Sequence, residues 1–178
     1  MRERGGTLSS SSDSSHSVTF LSYNMTGADS QKCKWIDNIC NKYAVDFVSI
    51  QEHFKTVKST HQWFQSQFED WHSYTIPAYR LAGIDSGRGR GGLLQLSRKQ
   101  LQVSKQKVIC CSPRIQAQRI TLSSFKILWL NTYMPCDVQS QNQDNQELIE
   151  TLCEVESTIN KHSDCEILWS GDMYLSLC

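Results

Sequence analysis

Four polar residues of this 178-residue chain stand at the ends of apolar runs: Asn24 after VTFLSY, Glu52 after DFVSIQ, Tyr133 after FKILWLNT and Asp172 after CEILWSG. If those runs are strands, their carboxyl ends are where open α/β sheets collect ligands. Asp and Asn are also common turn residues, so Asn24 and Asp172 taken singly say little. Glu52 says more. Glu forms turns poorly, and its charge is costly to leave unpaired beside Val-Ser-Ile, so it calls for a metal cation or an arginine partner.

The elements that must position these residues can be read from periodicity. HSVTFLSYNM (16–25) is rich in β-branched and aromatic residues and reads as a strand. Trp35, Ile36, Ile39, Cys40 and Tyr43 recur at helical spacing over 30–43, with Trp35, Ile39 and Tyr43 expected to face the core. DFVSIQEH (46–53) is a second strand, so a β-α-β unit brings Asn24 and Glu52 to the same side of a sheet. Residues 57–68 read as a helix with Trp63, Phe64 and Phe68 on one face. A Gly-rich stretch, 83-GIDSGRGRGG-92, reads as a flexible loop whose Arg88 and Arg90 face solvent, within reach of a nucleic-acid backbone. Runs at 92–98, 101–111, 115–122 and 125–133 suggest an antiparallel meander. A helix follows, opened by Asp144 and Glu147 and carrying the stripe Leu148, Leu152, Val155 and Ile159. The last run, 165–172, is apolar nearly throughout and predicts a strand buried on both faces. The fold class is α/β (α+β), a layered sandwich of sheets and helices.

Composition sets the bounds. Residues 1–17, Ser- and Gly-rich and without large apolar groups, are read as a disordered N-terminus and excluded from the fold, leaving 18–178 as one domain. No apolar stretch is long enough for a secretory signal or a membrane span. The expectation is therefore an intracellular protein, nuclear or cytoplasmic, with no membrane partner. The eight cysteines include no C-x-x-C pair, which argues against a zinc site. Formal net charge is zero, yet Arg80 to Lys126 holds ten Arg and Lys against Asp85 alone, and Ile127 to the end holds nine Asp and Glu against Lys161 alone. That split would suit a phosphate-bearing partner on one surface and carboxylates collecting metal nearby. It equally describes two halves that neutralise each other.

Five short motifs occur in order: 22-SYNMTG-27, 49-SIQEH-53, 91-GGLLQL-96, 129-WLNTYMP-135 and 168-LWSGDMY-174. Together they resemble the successive signatures of the endonuclease/exonuclease/phosphatase superfamily. The NTYMPCD wording is most similar to the apurinic-type endonuclease domains of non-LTR (LINE-type) retrotransposons. The resemblance implies a four-layer α/β sandwich and Mg²⁺- or Mn²⁺-dependent hydrolysis of a phosphodiester, in DNA rather than RNA. It implies that Glu52 is the main metal ligand with Asn24 beside it, that Asp172 orients or deprotonates the attacking water, and that Tyr133 donates to the phosphate. Asn131 falls in the same motif and is counted with the catalytic residues; read as a residue, it is a brace at the strand-to-loop corner.

The sequence also departs from the pattern. Tyr174 stands where the G-D-F-N motif has Asn, and Thr26 where some relatives carry a second acid. The S-D-H signature of a later strand does not occur. The resemblance therefore implies a C-terminally truncated, partial sandwich with an incomplete second sheet and impaired activity. His53 tempts as a ligand, but strand alternation turns it to the face opposite Glu52, so it is read as surface or core polar. Two alternatives stand beside this reading: a non-catalytic retrotransposon-derived remnant that binds nucleic acid through its basic 80–126 region, and a phosphoinositide or other phosphoester substrate on the same fold.

Overall fold

The computed structural model describes residues 17–56, 59–80, 88–101, 103, 105–122, 125–134 and 143–172. Positions 1–16, 135–137 and Tyr174, on which parts of the reading above fall, lie outside the described residues. The elements run β1 (Phe20–Asn24), α1 (Ser30–Lys42), β2 (Phe47–Gln51), α2 (Thr60–Gln67), β3 (Trp71–Ile76), β4 (Leu93–Arg98), β5 (Lys105–Cys111), β6 (Ile115–Thr121), β7 (Lys126–Tyr133), α3 (Gln143–Asn160) and β8 (Glu166–Asp172).

Two four-stranded sheets result, ordered β1-β2-β4-β3 and β5-β6-β7-β8. Each contains one parallel pair joined through a helix, β1/β2 through α1 and β7/β8 through α3. The other pairings are antiparallel. The meander expected over 92–133 is thus divided: β5, β6 and β7 form one, while β4 lies in the first sheet between β2 and β3.

Alternation along the strands divides the side chains among three cores. Val48, Ile50, Leu94 and Leu96 face Cys33, Ile36 and Cys40 of α1 and Phe64 of α2. Phe47, Ile120, Ile127 and Trp129 fill the space between the sheets, with Phe47 stacked on Phe20 at 4.8 Å and edge-on to Trp129 at 5.2 Å. Ile115, Ala117, Leu128 and Leu130 face Val155 of α3. The layers are therefore helices, sheet, sheet, helix. Polar side chains also bridge the two sheets. Trp129 Nε1 donates to Ser49 Oγ at 2.8 Å, Gln118 Nε2 to Gln95 Oε1 at 2.8 Å, and Gln51 Nε2 to Asn131 Oδ1 at 2.7 Å. Each satisfies groups that would be costly to bury unpaired, and together they hold the sheets in one register.

Three sequence-based expectations are corrected. The core face of α1 is Cys33, Ile36 and Cys40; Trp35 and Tyr43 are 49% and 60% exposed and Ile39 is half-buried. On α3 the buried residues are Thr151, Val155 and Thr158, and Leu152 points outward. The strand β8 is half-buried rather than enclosed, because it ends the sheet order and has β7 on one side only among the described residues. The strand β3 escaped the reading altogether. Its sequence WHSYTI has no apolar run, and its position is set by pairing with β4 from Trp71 opposite Arg98 to Ile76 opposite Leu93.

Candidate active site

The two parallel pairs deliver their carboxyl ends to one rim. Asn24 is the register partner of Gln51, and Tyr133 that of Asp172. Across the sheets, Asn24 Nδ2 donates to Asp172 Oδ2 at 2.7 Å, joining the end of β1 to the end of β8. One residue beyond Gln51, Glu52 follows at the same end of the first sheet. Its backbone carbonyl accepts from Gly27 N at 2.7 Å, tying it to the turn after β1. That turn is stapled in its own right, since Lys32 Nζ donates to the carbonyls of Met25, Thr26 and Gly27 at 3.0, 3.1 and 2.9 Å. The structure therefore brings Asn24, Glu52, Tyr133 and Asp172 to one edge of the sandwich.

Two of the residues assigned to the site are held by hydrogen bonds to neighbouring groups. The Asn24 Oδ1 atom accepts from Thr26 N at 3.0 Å and from Thr26 Oγ1 at 3.1 Å, so both of its lone pairs are engaged. In this arrangement Asn24 braces Asp172. Asn131 is fully buried. Its Oδ1 accepts from Gln51, and its Nδ2 donates to Ile50 O at 3.1 Å and Leu94 O at 3.3 Å. It braces the strand carrying Tyr133 against the strand leading to Glu52.

The residues after β2 are strained. Glu52 and Phe54 have φ of 56° and 57°, left-handed values that cost about 1–3 kcal/mol each outside glycine unless the surroundings impose them. Between them His53 is buried. Its Nε2 donates to Ile76 O at 3.0 Å and its Nδ1 accepts from Lys55 N at 3.1 Å. Burial lowers its pKa to about 4, so the ring is neutral at physiological pH, with both nitrogens engaged inside the protein.

The Gly-rich stretch is pinned rather than loose over its described part, 88–92. Arg90 and Tyr79 exchange backbone hydrogen bonds of 2.8 and 3.1 Å, and Gly89 is buried where a Cβ would come within 2.4 Å of Thr56 Cγ2. Arg88 and Arg90 are both exposed, and the Arg88 guanidinium lies 3.6 Å from the centre of the Phe54 ring, two residues from Glu52. Further cations of the basic segment are paired with acidic side chains. Arg114 pairs with Glu147, and Arg119 and Lys126 both reach Asp164 at 2.7 Å, so the acidic segment neutralises part of the basic one. Arg114 lies 5.6 Å from the centre of the Tyr133 ring; its proximity was not legible in the sequence because it arises from the β5–β6 turn.

No family model and no curated protein matches the chain in sequence. Solved structures do match it in fold. An AP endonuclease from Archaeoglobus fulgidus superposes with a TM-score of 0.61 at 16% identity, over 88% of this chain and 57% of its own. A variant of the 3' phosphatase NExo from Neisseria, bound to product DNA hairpin, gives 0.61 at 12%, over 90% and 58%. TDP2 from C. elegans gives 0.58 at 18%, over 89% and 47%. These likenesses define the fold as the endonuclease/exonuclease/phosphatase type, mixed α/β with two sheets and three helices. The chain spans about half of the length of the structures it matches. No helix among the described residues is long and apolar enough to cross a membrane.

Proposed function

We propose that this chain is a divalent-cation-dependent phosphodiester hydrolase acting on DNA, of the apurinic-type endonuclease kind found in non-LTR retrotransposons. The observation that carries the reading is the 2.7 Å bond from Asn24 to Asp172, which sets a carboxylate of one sheet against an amide of the other at the rim where Glu52 and Tyr133 also stand. The fold shared with an AP endonuclease and with a 3' phosphatase bound to product DNA supports phosphodiester chemistry on DNA.

The donors at the rim are oxygens, as a hard cation requires. Among the described residues no three His, Cys, Asp or Glu side chains gather to hold an ion. The protein would supply one or two carboxylates, and water and phosphate the rest, which is the common manner of holding Mg²⁺. Glu52 is the carboxylate for it, because its side chain has no hydrogen-bond or ion-pair partner among the described residues. Mg²⁺ or Mn²⁺ held there would neutralise charge on the phosphate.

The residues of the chain do the remainder. Asn24 fixes one oxygen of Asp172, leaving the other to orient the attacking water and accept its proton. Tyr133 donates its hydroxyl to a phosphate oxygen as negative charge grows. Arg88 and Arg90 contact the DNA backbone beside Glu52. Activity is weak, because Tyr174 replaces the amide of the G-D-x-N motif.

Nicking of supercoiled plasmid DNA with Mg²⁺ tests the reading. Glu52→Gln and Asp172→Asn should each lower the rate by about 10²-fold or more. Nicking that survives Glu52→Gln and chelation sinks it. Salt-sensitive binding with no cleavage would favour the non-catalytic binder instead, a reading that the ion pairs of Arg114, Arg119 and Lys126 weaken.

A further inference from the structure

The backbone from Glu52 to Phe54 is fastened on both sides. Gly27 N and Ala28 N donate to the carbonyls of Glu52 and His53 at 2.7 and 3.0 Å; on the other side His53 N and Phe54 N donate to Gly92 O and Gly91 O at 3.4 and 3.2 Å. These bonds fix the path of the chain, but they do not by themselves explain why two side-chain-bearing residues adopt left-handed φ. The side chain between them adds two further ties. His53 Nδ1 accepts from Lys55 N two residues on, closing the turn through Phe54 as an Asx side chain would. His53 Nε2 reaches the last carbonyl of β3, at Ile76, and anchors the turn to the sheet. The ring has no room to shift. Phe64 meets it edge-on at 5.0 Å, and a Cβ on Gly92 would lie 2.5–2.8 Å from its atoms. An apolar residue of the same size would leave Lys55 N–H and Ile76 C=O without these partners.

We propose that His53 is a positioning residue for Glu52: an imidazole whose Nδ1 accepts from Lys55 N closes the left-handed turn and thereby sets the direction in which the Glu52 carboxylate faces its cation. The proposal rests on Glu52 being the cation-binding carboxylate. It assigns His53 no contact with substrate or ion.

Mn²⁺ binding to the whole chain, measured by electron paramagnetic resonance without DNA, tests it alongside hydrogen exchange at the Lys55 amide. His53→Gln keeps the reach to Ile76 O but loses the acceptor near Lys55; His53→Asn keeps that acceptor and loses the reach. His53→Gln should weaken Mn²⁺ binding about 10-fold and speed Lys55 exchange, while His53→Asn stays within about 3-fold of the parent. Equal Mn²⁺ affinity in the parent and His53→Gln, with faster Lys55 exchange, overturns the proposal, as does equal weakening in both variants. A Glu52→Gln variant that binds Mn²⁺ as the parent does, or a parent that binds none, overturns instead the assignment of Glu52 on which it rests.

Discussion

At the scale of single residues, the rim depends on side chains that never reach it. Asn131 and His53 are both fully satisfied inside the protein, one holding the two sheets together behind the rim and the other holding the turn that carries Glu52. His53 also makes the fold sensitive to acid. Its pKa is lowered to about 4 in the folded chain, against an ordinary value near 6.5 when unfolded. As pH falls through that window the unfolded chain takes up a proton that the folded chain refuses, so stability present above about pH 6.5 is progressively lost toward pH 4. The expected loss from this group is about 3 kcal/mol between pH 7 and pH 4. Urea unfolding at a series of pH values should show it, and His53→Gln should flatten the slope.

At the scale of elements, α1 shows how two faces can satisfy one periodicity. Cys33, Ile36 and Cys40 are spaced for a helix, and so are Trp35, Ile39 and Tyr43; the first set packs on Val48 and Ile50. The second is left mostly to solvent, with Trp35 tilted against Tyr23 at 5.3 Å. Ile36→Ala should therefore cost about 2–4 kcal/mol, while Trp35→Ala should cost no more than about 1 kcal/mol, as denaturant midpoints will show. An equal cost at the two positions would mean that the helix is rotated. The Asp29 cap, accepting from Lys32 N at 2.8 Å, and the Lys32 staple on residues 25–27 set where α1 begins and how it meets the rim.

At the scale of the whole molecule, the two sheets share a core, and the rim exists only while they stay in register. Trp129 sits at the centre, against Phe20 and Phe47 of the first sheet and hydrogen-bonded to Ser49. Trp129→Ala should destabilise the protein by about 3–5 kcal/mol and abolish the Asn24–Asp172 contact with it, a loss that calorimetry and nicking assays would register together. Two separate unfolding transitions in the parent protein would contradict a shared core. Much of this architecture was legible in the chain, because strand and helix periods are local and because strand ends can be counted. Strand β3 was not legible, since apolar and polar residues do not alternate cleanly along WHSYTI, and only pairing of Trp71, Ser73 and Thr75 with Arg98, Leu96 and Leu94 makes it a strand. The residues alone determined that Asn24, Tyr133 and Asp172 end their strands and that Glu52 follows one. Only the tertiary structure decided that Asn24 meets Asp172, 148 positions away, that the Asn24 oxygen is engaged by Thr26, and that β8 is half-buried. Local periodicity specifies which way a side chain leaves its own element, whereas which element it then meets depends on how the two sheets stack.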